Sequence, residues 1–198
     1  MVAGVLSASG LDFGGPLHSR RRKYQPQGFF EHRGIRDGIV KPLLKSLGAD
    51  PVGQRPLPAR FLKPTALEAR TLASRIRKEL DGAEAYKDAK TLLVWQYFHR
   101  AFPDATWVLV RRDARAIARS CLRTPFMKRR KYLAGWLDWV QEHEDRMEDL
   151  KISGARVLEI WPDPNEPEGF RPMIEALGLP YDSKAVASAL VPEAYHLK

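Results

Sequence analysis

Two arginines, an aspartate and a serine carry the clearest chemical signal in the chain. Arg111 and Arg112 end the apolar run Thr106-Trp107-Val108-Leu109-Val110, Asp113 follows them, and Ser120 lies eight positions beyond Arg112. Cations at the carboxyl end of a strand, beside the start of a helix, are well placed to hold a phosphate. The free N–H groups and dipole of a helix start already favour an anion, and a guanidinium adds a planar fork that matches phosphate oxygens. A hydroxyl two helical turns further on supplies another donor. The same arginines can instead be surface residues at a sheet edge, where isolated charges contribute little.

Glu31 has the carboxylate that a general base needs, provided its proton affinity is raised beside the reacting group. A first-turn glutamate that favours the helix dipole is the competing reading. His32 is a second candidate base and otherwise reads as a surface histidine. Lys87 and Asp88 form either a site pair or an exposed ion pair. The basic runs Arg20-Arg21-Arg22-Lys23 and Lys128 to Lys131 can grip nucleic acid or a polyanionic acceptor, or be solvated, partly mobile charge. Trp136 and Trp139 share a helix and read as core or groove lining rather than as a stacking platform. None of the five histidines falls in a ligand spacing such as His-Glu-x-x-His, so no metal is assigned. Neither a Gly-x-Gly-x-x-Gly nor a Walker-type glycine loop occurs.

These residues need a fold to hold them. The chain has 198 residues, of which 44% are apolar and 29% charged, a composition that fits a folded protein and argues against disorder. The length suits a single domain over residues 1–198. No apolar run reaches the ~18–20 residues of a membrane span, the start lacks a signal-peptide pattern, and Cys121 is the only cysteine. A reducing cytoplasm is the expected location. A net charge of +9 calls for an anionic partner without choosing it.

Met1 to Ser9 reads as the end of a helix stopped by Gly10, and Leu11 to Gly28 as a loop. Helical spacing runs from Gly34 to Leu47, from Thr65 to Leu80 and from Leu92 to Phe102, with a Pro/Gly loop over Asp50 to Pro58. Thr106 to Val110 lacks polar alternation, as expected of a strand buried on both faces of a parallel sheet. A helix through Ala114, Ile117, Ala118, Cys121 and Leu122 follows, capped by Asp113. Lys131 to Leu150 predicts another helix, Arg156 to Ile160 a strand, and Phe170 to Leu177 a helix stopped by Gly178. The class is α/β, a small parallel sheet covered by helices, with ligands expected beyond the carboxyl ends of the strands.

The stretch from Phe102 to Ser120 resembles the nucleotide-binding segment of sulfotransferases, where a strand ends in Arg-Asp-Pro-Arg and a serine lies eight residues after the first arginine. Ala114 stands where that family has a proline. Gly28-Phe29-Phe30-Glu31 and Lys87-Asp88-Ala89-Lys90 resemble segments of the bacterial and phage-like branch. Glu159-Ile160-Trp161 and Leu177-Gly178-Leu179-Pro180 are similar to its late strand and helix end. The resemblance implies a P-loop-NTPase-like sulfotransferase fold. It also implies 3′-phosphoadenosine 5′-phosphosulfate as sulfuryl donor, a hydroxyl or amine acceptor, and no metal. Arg112 and Ser120 would hold the donor's 3′-phosphate and Glu31 would be the base. Met1 to Leu6 matches the helix that in this family follows the phosphosulfate-binding loop. By resemblance the chain is therefore N-terminally truncated, lacking the opening strand and loop, and inactive or nearly so as it stands. A non-catalytic nucleotide- or polyanion-binding protein is the alternative. A nucleic-acid-binding module, with steeply salt-dependent affinity, is a third.

Overall fold

The computed structural model describes residues 1–18, 28–56 and 65–190. The run Arg20 to Lys23 lies outside them. Helix α1 (Val2–Ala8) opens the chain and stops where Gly10 adopts φ +97°, as its glycine predicts. The next helical stretch begins as a π-helix over Gly34–Val40 and continues as α2 (Lys41–Ser46). Pro42 has no N–H to donate to the Gly38 carbonyl, so regular α-geometry is interrupted there; the Arg75 guanidinium donates to that carbonyl instead, at 3.4 Å.

Helix α3 (Ala66–Glu79) starts on a capping box between Thr65 and Glu68. A 3-10 turn over Ala89–Val94, capped by Asp88, leads into α4 (Trp95–Ala101), so the expected helix at Leu92 starts earlier and tighter. Strand β1 (Thr106–Val110) passes through Asp113, whose carboxylate accepts from the Ala116 N–H at 2.7 Å, into α5 (Ala114–Arg123). Helix α6 (Leu133–Ile152) begins two residues later than its periodicity suggests, and β2 (Arg156–Ile160) occupies the expected residues. A 3-10 turn at Pro167–Phe170, α7 (Arg171–Ala176) and α8 (Ser183–Ala189) complete the described chain. Only seven residues long, α8 carries no sustained periodicity; its one sequence signal is Asp182, which accepts from the N–H groups of Lys184 and Ala185.

The strands pair in parallel, Thr106 opposite Arg156 through Val110 opposite Ile160, and form a two-stranded sheet. Helices supply most of the structure. One core joins α2, α3 and α4 around Ile35, Leu44, Ile76 and Phe98. Another joins α1, β2, α7 and α8 around Val5, Ile160, Phe170, Ile174 and Val186. Smaller clusters seat β1 on α6 through Leu109 and Leu150, and α5 on α6 through Ala118, Cys121 and Trp136.

The expectation of a strand buried on both faces is corrected. Leu109 is buried, Thr106 to Val108 are half-buried and Val110 is exposed. The Arg111 N–H donates to the Ile160 carbonyl, so by strand alternation the backbone groups of Val108 and Val110 point away from β2. Among the described residues no strand pairs with them. That edge borders a groove of about 1220 Å³ running from α1 and Phe13 along β1 to Arg112 and Asp163. No described helix is long and apolar enough to cross a membrane.

Candidate functional site

Arg111 and Arg112 are neighbours in sequence with opposite surroundings. Successive side chains of an extended segment point to opposite sides. Arg111 turns inward and is 6% exposed, where its guanidinium pairs with Glu144, with Glu148 at 2.9 Å and with Glu159 at 3.2 Å. Lys151 closes the network on Glu148 at 3.1 Å and Glu159 at 2.9 Å. Hydrogen bonds from Lys151, then from Arg111, hold both of these carboxyls below the usual carboxylate range. All of Arg111's charge is spent on clamping α6 to the ends of β1 and β2.

Arg112 turns outward, lines the groove and makes no side-chain hydrogen bond or ion pair among the described residues. It stands just before the first turn of α5, whose leading N–H groups precede any helical acceptor. Unpartnered cation and helix start stand together beside the groove, with the Asp113 carboxylate between them capping the Ala116 N–H. Ser120 is half-buried two turns along α5; its carbonyl accepts from the Thr124 hydroxyl at 2.8 Å, and its own hydroxyl is unengaged among the described residues. Ile117 lines the groove between them. Trp161 follows β2, opposite Arg111 in the continued register, and is 68% exposed. Sequence reading placed it only in a strand, although an indole directly after a strand beside paired arginines was the available signal.

A second corner borders the same groove. Gly28 (φ +85°) and Phe30 (φ +52°) turn the chain so that Glu31 faces Lys87. The Glu31 carboxylate lies 3.3 Å from the Arg36 guanidinium and 3.6 Å from the Lys87 ammonium, and Lys87 also donates to the Phe29 carbonyl at 3.0 Å. The segments around Glu31 and Lys87, distant in sequence, therefore meet. Lys87 and Asp88 do not pair with each other, which corrects both readings of them as a pair. Asp88 is buried, accepts from Lys90 at 2.6 Å and from the Tyr86 hydroxyl at 3.2 Å, and caps the 3-10 turn. Burial, reinforced by the Asp88 charge, pushes the Tyr86 phenol far above its ordinary value.

His32 is not a surface histidine. It is buried, bonded at 2.7 Å to the Gly15 carbonyl and bridged in antiparallel fashion with Leu17, which makes it a tie for the entry loop. Trp136 is core, and Trp139 lines the groove while donating to the Gly53 carbonyl at 2.7 Å. His143, also on the groove, has its pKa pulled down to about 4 by burial against a hydrogen bond to the Trp139 carbonyl, with Arg146 and Arg130 adding to the lowering. It is neutral at pH 7. Among the described residues no three His, Cys, Asp or Glu side chains gather as a metal site.

A family model described as a sulfotransferase domain matches residues 54–182, well over half of the chain. The chain belongs to the sulfotransferase family. The match includes Arg112, the Arg111 clamp and both strands; Glu31 lies outside it. Comparison with curated proteins and with solved structures returns no match. Membership brings a sulfuryl donor and an acceptor as the general classes of ligand, and the α/β arrangement of helices on a small parallel sheet agrees with it.

Proposed function

We propose that the protein binds 3′-phosphoadenosine 5′-phosphosulfate at the carboxyl end of β1 and transfers its sulfuryl group to a hydroxyl or amine. The observation that carries this reading is the unpartnered Arg112 at the start of α5, beside an Arg111 whose charge is already satisfied. Arg112 and the α5 N–H groups fit a phosphate, and Ser120 adds a hydroxyl on the same helix; these residues hold the 3′-phosphate. When bound, the donor supplies the transferring group: its sulfur–oxygen bond to the nucleotide breaks, a bond to the acceptor forms, and the acceptor's proton leaves to a base.

Glu31 is the proposed proton acceptor, with Arg36 and Lys87 orienting its two oxygens beside the groove. Positioning and cationic stabilisation are the main contributions asked of this chain's residues. The same ion pairs favour a second reading, a nucleotide-binding protein without turnover, in which Glu31 ties Lys87 to the π-helix.

Calorimetry with 3′-phosphoadenosine 5′-phosphate tests the binding half. Arg112→Ala is expected to weaken affinity by roughly 1.5–3 kcal/mol, while Arg115→Ala leaves it nearly unchanged. Equal affinities for the two variants refute the assignment. A transfer assay tests the other half: Glu31→Gln is expected to lower the rate by ~10²–10⁴-fold with donor affinity intact. Binding without transfer in the unmodified chain selects the second reading.

A further inference from the structure

Helix α5 has two unlike sides. Ala118 and Cys121 bury themselves against α6, and on the other side stand Arg115 and Arg119, about 40° apart at about 100° per residue, with Arg112 just before the helix cap. Arg123 continues the line. Arg112, Arg115 and Arg119 are exposed and have no side-chain partner among the described residues. Between Asp113 and Asp138 the chain holds seven basic residues and no acidic one. A merely solvated helix face mixes its signs, as Arg171 does with Glu168 at 2.8 Å and Glu175 at 3.9 Å. This one does not.

The loop after α5 continues the basic run in sequence and is held in shape. Asp50 folds the segment before it by accepting from the N–H groups of Val52 and Gln54, at 3.2 and 3.1 Å, and sends the Gln54 side chain inward, where it is 3% exposed. Its amide donates to the Phe126 carbonyl at 3.0 Å and accepts from the N–H groups of Lys128 and Arg129 at 3.1 and 3.3 Å. The Gln54 carbonyl accepts from the Arg130 guanidinium at 3.0 Å. With every polar group of Gln54 committed, the loop backbone is fixed, and the exposed, unpaired side chains of Lys128 and Arg129 are presented outward. Lys128, Arg129 and Lys131 are solvated as expected of the run, whereas Arg130 is drawn in by the Gln54 and Gly135 carbonyls and Glu142.

We propose that this cationic ridge, from the mouth of the groove at Arg112 to Arg129, binds a linear acidic polysaccharide and brings its hydroxyl or amine groups to the donor site. This rests on the sulfotransferase reading above. Three features favour a glycan over nucleic acid. The helix arginines Arg115, Arg119 and Arg123 recur every four residues, about 6 Å apart along the axis, which suits about one anion per sugar rather than the one charge per ~1.7 Å of duplex DNA. From Arg112 to Arg129 a single aromatic ring, Phe126 at 53% exposure, stands among the cations, whereas general nucleic-acid surfaces interleave several stacking rings with them. An acidic polysaccharide also carries the acceptor hydroxyls that sulfuryl transfer requires.

The test is fluorescence anisotropy with labelled polygalacturonate oligosaccharides, neutral dextran and oligothymidylate over a salt series. Calorimetry with 3′-phosphoadenosine 5′-phosphate runs in parallel. Polygalacturonate is expected to bind and dextran not. The variant Arg115→Ala/Arg119→Ala/Lys128→Ala/Arg129→Ala should lose at least about tenfold in polygalacturonate affinity, with a log–log salt slope shallower by about 3, and keep its nucleotide affinity. The single exposed change Arg119→Glu, checked by thermal melting, guards against a misfolded quadruple variant and should lose affinity in the same direction. Unchanged polygalacturonate affinity in both variants overturns the proposal, as does oligothymidylate binding tenfold tighter than the glycan. Ridge-dependent glycan binding without nucleotide binding sustains the ridge and refutes the donor site instead.

Discussion

Two cationic regions lie on either side of the end of β1, and they differ in what surrounds their charge rather than in how much they hold. On one side Arg111 and Lys151 meet Glu144, Glu148 and Glu159, and the charge is satisfied within the protein. On the other, Arg112, Arg115, Arg119, Lys128 and Arg129 have no ion-pair partner among the described residues, and the nearby Asp113 carboxylate is committed to the Ala116 N–H. Basic residues in a sequence thus say little until their partners are known: the first set clamps helix to sheet, and the second is open to a ligand.

Removing Arg111 should have the largest effect on that contrast. Arg111→Ala removes the buried guanidinium that joins three partly exposed carboxylates, leaving Lys151 on two of them, and is expected to lower the denaturant midpoint more than any other single change at the end of β1. Arg112→Ala, one residue on, should change stability by less than about 0.5 kcal/mol, since its side chain touches no partner. Similar losses from both would erase the distinction between clamp and ligand site.

The ridge side has its own structural dependence, on Gln54. Gln54→Ala strands the Phe126 carbonyl and two loop N–H groups, for about 1–2 kcal/mol of stability. Hydrogen exchange should show the Lys128 and Arg129 amides losing protection while those of β1 keep theirs. If protection at both loop amides persists, Gln54 does not hold the ridge in shape.

The smallest effect is a pH dependence confined to the clamp. Glu148 and Glu159 titrate below their ordinary range in the folded protein. Their contribution to stability is present above the unfolded value of about 4.3 and is lost as pH falls through the lower folded values. The stability of Glu159→Gln should fall less steeply over that acid window than that of the unmodified chain. Superimposable curves would mean that these carboxylates are too well solvated for the clamp to sense pH.

Local pattern placed most elements correctly for identifiable reasons. β1 and β2 are apolar, β-rich runs bounded by loops, α5 has Asp113 at its head and a regular apolar stripe, and Gly10 and Gly178 end their helices with positive φ. Where an element depended on something distant, local pattern missed it. Helix α8 is stable because Val186 and Ala189 are buried in a core shared with α1. The burial of His32 needed the Gly15 carbonyl seventeen residues away.

The sequence by itself determined that a strand, a cap and a helix follow one another, with two arginines at the end of the strand and a serine eight residues beyond Arg112. Periodicity, capping residues and an eight-residue interval are local properties, and local physics reads them. Only the tertiary structure decided which arginine is free. Strand alternation sends the two side chains to opposite sides, but nothing nearby says which side carries the carboxylates. That was settled when α6, thirty residues further along, packed Glu144 and Glu148 over Arg111 and left Arg112 facing the groove.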